Sequence, residues 1–341
     1  MKAVVLHGKQ DLRWEEVEEP RPGPAEVVVA VDYGGICGSD LHYWRDGSAG
    51  TSILRAPLVL GHEVAGTVVE HGSEAIDVAI GTPVTIHPAA TCQGCAECAA
   101  GQPNLCSDAT YFGSAARLPH TAGAFARYRA VPRDQLRLLP PGLPMRHGAV
   151  AEPLGVAVHA LHRAGSIRGR SVLVNGAGPI GCLLVAAARA AGAEQVHAAD
   201  LAAESLAIAR AMGADRTVHI GADELPREVD VVFEASGAPA ALGGCFDAVR
   251  RGGTVVQVGN LPPGVISAEL ASLVTKEVTY AGSYRFVDEI TDAVALLAGT
   301  IDVEPLLTHT FTPDRLSEAF HTALDRRTSS KVLLDFTDRA E

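Results

Sequence analysis

The rhythm of hydrophobic and polar positions changes near residue 150. Before it, short β-branched runs such as residues 26–31 and 64–70 lie between Gly- and Pro-rich turns, and helical periodicity is scarce. That texture predicts strands. After it, apolar runs at 171–175, 195–200, 229–234 and 254–259 alternate with helix-period stretches at 179–191, 204–212 and 239–249. Such alternation predicts a parallel sheet with crossover helices. Past about residue 283 the pattern predicts one further helix, 288–297, and a closing strand, 331–336. The expected fold class is α/β. A doubly wound sheet of about six parallel strands over 151–282 joins a β-rich domain of residues 1–150, completed by 283–341, with a cleft between them.

Composition narrows this picture. The 341 residues suffice for two domains with real cores. A net charge of −12 argues against nucleic acid and anionic membrane surfaces as partners. No apolar run reaches the length of a membrane span, and the opening MKAVVLHGKQ lacks a signal-peptide core. A cytoplasmic protein is expected. Seven cysteines in a reducing compartment point to metal or catalysis rather than disulfides.

Residues 171–181 read SVLVNGAGPIG, placing Gly176, Gly178 and Gly181 between a predicted strand and a predicted helix. In that context GxGxxG is a dinucleotide fingerprint. The first glycine allows a tight turn, the second a close approach of pyrophosphate, and the third the packing of helix on strand. Asp200 follows Gly181 by 19 residues and closes the second strand. A carboxylate there binds ribose hydroxyls and repels a 2′-phosphate. No Arg lies in residues 201–206, which favours NAD over NADP.

Residues 92–106 read CQGCAECAAGQPNLC, so Cys92, Cys95, Cys98 and Cys106 fall within one short loop. Four thiolates can close a tetrahedron around one structural zinc, and an iron–sulfur cluster is the rival. The loop carries little apolar content, so metal binding is expected to fold it.

Residues 34–47, GGICGSDLHYWRDG, crowd Cys37, Ser39 and His42 into a polar, turn-rich stretch. LGHEVAG supplies His62 and Glu63, and AEPLGVAVHA supplies Glu152 at the seam between the two textures. Cys37, His62 and a carboxylate would give a catalytic zinc three protein ligands and one open position.

GHEVAG, the four-cysteine loop and GAGPIG, in this order, make the chain resemble the zinc-dependent medium-chain dehydrogenases over essentially its whole length. Glu152 stands where the alcohol dehydrogenase branch has a second cysteine ligand, which places the resemblance in the polyol, or sorbitol-type, branch. GGICGSDLHYWRDG, FGSAARLPHTAGAFARY, GPIGCLLV and GSYRF are similar to the bacterial sugar-acid dehydrogenases that oxidise idonate. The resemblance implies a GroES-like catalytic domain, a Rossmann domain, and two zinc ions per subunit, one catalytic and one structural. It implies Cys37 and His62 as catalytic-zinc ligands, with Glu63 or Glu152 as the third contact. Ser39 and His42 would relay the hydroxyl proton to solvent. Pro179, Ile180, Leu201, Val258, Gly259, Ser283 and Arg285 would join the three glycines and Asp200 around NAD.

Tyr43 and Trp44 follow His42 and are candidates to wall the substrate pocket. Arg285 and Phe286 match a polyol-binding Arg–aromatic pair of sorbitol dehydrogenases, with Phe where Tyr is often found. A guanidinium there suits a sugar-acid carboxylate. Arg117 and His120 are further candidates for an anionic tail. Ser205 stands where many sorbitol dehydrogenases carry an Arg, which weakens that tie. The expected reaction is NAD-linked oxidation of a secondary hydroxyl of a sugar acid, idonate first. A polyol such as sorbitol or xylitol is the alternative, with L-threonine third. A zinc-stabilised binding or sensor protein without catalysis, and a zinc-free quinone reductase, are the rivals. A homo-oligomer is expected, a tetramer before a dimer, with residues 278–283 able to extend a sheet across subunits.

Overall fold

A computed structural model describes residues 1–338. The second half of the chain builds a six-stranded sheet in the order Arg216–His219, Gln195–Asp200, Ser171–Asn175, Val229–Glu234, Val249–Gln257, Thr279–Gly282. Every neighbouring pair is parallel. Val172, Leu173, Val174, Val231, Val232 and Phe233 are fully buried. Runs this apolar suit central strands covered by helices on both faces. Strand order reverses between Ser171–Asn175 and Val229–Glu234, which opens a crevice at the carboxyl ends of the strands.

The first half builds a mostly antiparallel seven-stranded sheet. Its long strand Glu26–Gly35 pairs with Glu63–His71 on one side. On the other side it pairs with Tyr128–Pro132 through residues 26–30 and with Lys331–Asp335 through residues 33–35. The final strand pairs in parallel with Leu307–Phe311, so the end of the chain completes this sheet.

Three helices depart from the sequence pattern. Gly38–Asp46 is a helix rather than part of a turn-rich loop. Cys37 is its N-cap, and the Cys37 amide donates to Asp40 Oδ2 at 3.0 Å. Ala151–Ala164 is a helix buried on most sides, which blurs its periodicity. Pro153 falls in its first turn, where a missing N–H costs nothing. Leu316–Leu324 buries only Leu316, Ala319 and Phe320, and Phe320 meets Trp44 edge-on at 5.6 Å. The helix Glu289–Gly299 sends Ile290, Ala293, Val294 and Leu297 into the core that holds Ala151–Ala164 and the parallel sheet.

Candidate active site

Strand register assembles the first cluster. Gly35 lies opposite Glu63, so Cys37, just past one strand end, meets His62 and Glu63 at the start of the other. A Cβ on Gly35 would stand 2.3 Å from Glu63 Oε2, so any larger residue would push this carboxylate out of place. Ligand atoms of Cys37, His62 and Glu63 all lie within 4.8 Å of one another. His62 and Glu63 are buried. His62 Nδ1 and Asp40 Oδ1 are buried without a hydrogen-bond partner. Thiolate, imidazole and carboxylate form a donor set that fits zinc with one position open.

Glu152 stands apart from that trio. Its Oε1 accepts the Tyr111 hydroxyl at 2.5 Å. Burial raises the Glu152 carboxyl to about 6, with Glu63 pushing the same way and His62 and Tyr111 opposing. Glu63 is held by Lys331, which also donates to the Ile36 carbonyl at 3.2 Å. Lys331 and Tyr111 are site residues that no local spacing revealed. A lysine among the apolar residues of a predicted strand was the available signal for Lys331.

The sulfurs of Cys92, Cys95, Cys98 and Cys106 also lie within 4.8 Å of one another. Cys106 is the only buried residue between positions 91 and 110. Four convergent thiols in a lobe without an apolar core fit a closed structural metal site.

At the switch of strand order, Gly176 takes φ +100° and Gly181 packs so closely that a Cβ would meet the Gly176 carbonyl at 1.8 Å. A Cβ on Gly178 would meet nothing within 4 Å. Pro179 opens the helix Pro179–Ala190 with Ile180 and Gly181 beside it, and no side chain caps its first-turn amides. Such a helix start accepts phosphate. Asp200 Oδ2 accepts the Ala177 amide at 2.6 Å and Oδ1 the Ala202 amide at 2.9 Å. Leu201 beside it is exposed. The amides of Val258 and Gly259 both donate to the Glu234 carbonyl at 2.8 Å. The Ser283 amide donates to Gln257, while its Oγ is buried without a partner. These residues edge the same crevice.

Ser39 and His42 stand one turn apart on Gly38–Asp46 and share a helix face. His42 is exposed, with Nδ1 3.2 Å from Asp46 Oδ2. Tyr43, a candidate to wall the pocket, belongs instead to the core of the first domain, and Trp44 packs there as ordinary core. The Tyr43 hydroxyl accepts the Ala115 amide. Phe286 likewise turns into the core, edge-on to the His87 ring at 5.0 Å. His120 is used by backbone: Nδ1 donates to the Arg117 carbonyl and Nε2 accepts the Arg55 and Ala56 amides. It has no nitrogen left for an anionic tail. Arg117 pairs with Asp108. Arg285 lies over the Tyr111 ring at 4.2 Å and the Tyr284 ring at 4.9 Å, beside a groove of about 320 Å³ that Arg117 and Asn104 also line.

A glycine-rich nucleotide turn and a Cys–His–carboxylate trio in one chain point to a zinc-dependent dehydrogenase. Known proteins agree. Residues 23–141 match the family of the alcohol dehydrogenase GroES-like domain, and residues 179–299 that of the zinc-binding dehydrogenases. The chain is 39% identical over 317 residues to the L-idonate 5-dehydrogenase (NAD(P)(+)) of Escherichia coli K12, covering 91% of this chain and 92% of that one. It is 37% identical over 334 residues to bovine sorbitol dehydrogenase, covering 94% and 92%. The crystal structure of the E. coli L-idonate 5-dehydrogenase superposes with a TM-score of 0.94 at 36% identity, over 98% of this chain and 97% of that one. The chain belongs to the zinc-dependent alcohol and polyol dehydrogenase family. It is an oxidoreductase that uses zinc and NAD(P).

Proposed function

We propose that the protein oxidises a secondary hydroxyl of a sugar acid, L-idonate to 5-dehydro-D-gluconate, with NAD as hydride acceptor. The observation that carries this reading is Arg285, which lies over Tyr111 while Tyr111 binds Glu152 near the metal donors. A guanidinium held flat at that point can pair bidentately with the carboxylate of the substrate.

When bound, zinc lowers the pKa of the substrate hydroxyl and NAD accepts a hydride. Cys37, His62 and Glu63 would hold the catalytic zinc, and the four thiols a second, structural one. Tyr111 fixes Glu152 at the edge of the site, where the carboxylate can orient a hydroxyl or a water. Ser39 Oγ accepts the proton of the substrate hydroxyl as its own hydroxyl proton passes on to His42 Nε2, from which a proton leaves to solvent. Asp46, at 3.2 Å, and Arg45, at 3.3 Å, both approach Nδ1 of that imidazole, so Nε2 is the nitrogen left for the transfer. Asp200, already aligned by two backbone amides, favours NAD over NADP.

NADH formation by the zinc-loaded protein with L-idonate, sorbitol, xylitol and L-threonine tests the reading, with NADP⁺ as a parallel cofactor. The highest kcat/KM on L-idonate supports the carboxylate contact. A higher value on a neutral polyol overturns it and favours the sorbitol-type alternative, which bovine sorbitol dehydrogenase motivates.

Among the described residues no helix is long and apolar enough to cross a membrane. A cytoplasmic setting suits seven free thiols. The strand Thr279–Gly282 ends its sheet with Tyr280 exposed, an edge that suits pairing with a second copy in a tetramer. Light scattering reads the mass directly, and a monomer overturns that part.

A further inference from the structure

Arg285 holds a left-handed backbone, φ +53°, that an arginine rarely adopts. A residue persists there only when its surroundings over-determine it. Side chains from other elements anchor the backbone on both sides of it. Arg163 donates to the Gly282 carbonyl at 3.0 Å, and Asn104 to the Tyr284 carbonyl at 2.9 Å. His87 Nε2 donates to the Val287 carbonyl at 2.9 Å. Glu289 Oε2 accepts the amides of Val287, at 2.6 Å, and Asp288, at 3.1 Å. Arg137 reaches the Asp288 carboxylate from the first domain.

Glu289 is the centre of this arrangement. Its other oxygen, Oε1, accepts His159 Nδ1 at 2.8 Å and His162 Nδ1 at 3.0 Å. Both histidines stand on Ala151–Ala164, the helix whose first turn carries Glu152. His159 follows Glu152 by seven residues, two turns along the same face. One buried carboxylate therefore joins the helix of Glu152 to the turn of Arg285.

We propose that Glu289, braced by His159 and His162, is a positioning residue that holds the Tyr284–Arg285 turn in the conformation that lays the guanidinium over Tyr111. The proposal rests on the substrate role of Arg285 given above. It adds a residue outside the site that sets substrate affinity without touching substrate, cofactor or metal.

A double-mutant cycle on kcat/KM tests it, using the zinc-loaded enzyme, saturating NAD and whichever assayed substrate turns over best. Glu289→Gln should lower kcat/KM about tenfold, mainly through KM, with zinc content unchanged. In an Arg285→Ala background the same substitution should change kcat/KM by less than about twofold, because the group it acts through is gone. An equal loss in both backgrounds makes Glu289 merely structural and overturns the proposal alone. If Arg285→Ala itself leaves every substrate unaffected, the substrate role of Arg285 fails and the proposal falls with it. Should Glu289→Gln not fold, His162→Ala serves, since that side chain is 57% exposed. It should give a smaller loss that likewise disappears without Arg285, and a persistent loss again overturns the proposal.

Discussion

Lys331 donates to both carboxylate oxygens of Glu63, at 2.8 and 2.6 Å, with the two side chains 3% and 1% exposed. The pair ties the last strand to the metal-ligand cluster across 268 residues of sequence. Removing one member of a buried pair leaves the other charge without compensation, at about 3–5 kcal/mol. Lys331→Met is therefore expected to lose that much unfolding free energy in urea. A loss below about 1 kcal/mol would contradict the pairing.

Gly178 separates folding from cofactor binding. An added methyl meets no protein atom within 4 Å, so Gly178→Ala should leave the melting temperature of the cofactor-free protein unchanged or slightly higher. The same methyl would stand where pyrophosphate approaches the backbone, so NAD affinity should fall at least about tenfold by calorimetric titration. Unchanged affinity would remove the phosphates from this turn.

Two donor sets predict two zinc ions per chain by atomic absorption. Cys98→Ser should lower the count to one, since a tetrahedral site is incomplete without its fourth ligand. The lobe around residues 92–106 should then become the first site of proteolysis, because it has almost no buried residues to hold it. A variant still carrying two ions, or a protected lobe, would contradict a structural metal there.

Ser39→Ala should reduce kcat roughly 10²–10⁴-fold, the range for losing a positioned proton-transfer group. NAD affinity and zinc content should not change. Full turnover in this variant would exclude Ser39 from the proton path. An inactive wild type that still binds NAD would instead favour a non-catalytic binding protein.

Glu289 predicts an acid-dependent share of stability. Burial would raise its carboxyl, but hydrogen bonds from His159, its own amide, His162 and Val287 outweigh that and hold it near 2, against an ordinary 4.5. A folded value below the unfolded one stabilises above about pH 4.5 and fades as the pH falls toward 2. The stability gap between wild type and Glu289→Gln should be on the order of 2 kcal/mol near neutrality and should narrow below about pH 5. His159, His162, Asp288 and Arg137 face this group from the adjoining elements. Urea titrations from pH 7 to 4 read the gap, and one that widens on acidification would reverse the sign argued here.

Much of this protein is written locally. The strands at 171–175, 195–200 and 229–234 form with the bounds their apolar runs predict, because a strand buried on both faces needs a continuous run of apolar residues. The three glycines and the four-cysteine loop are equally legible, since a tight turn and a tetrahedral site each require particular residues at short, fixed spacing. Helix Ala151–Ala164 was not legible in this way, because burial on most sides erases the polar face that marks a helix. The partners of the site were invisible for another reason. Lys331 meets Glu63, Tyr111 meets Glu152 and His159 meets Glu289 only after strands and helices distant in sequence pack together. Residue spacing encodes turns, periodicity and chelation, whereas the compensation of a buried charge depends on which side chains tertiary packing brings within hydrogen-bond reach.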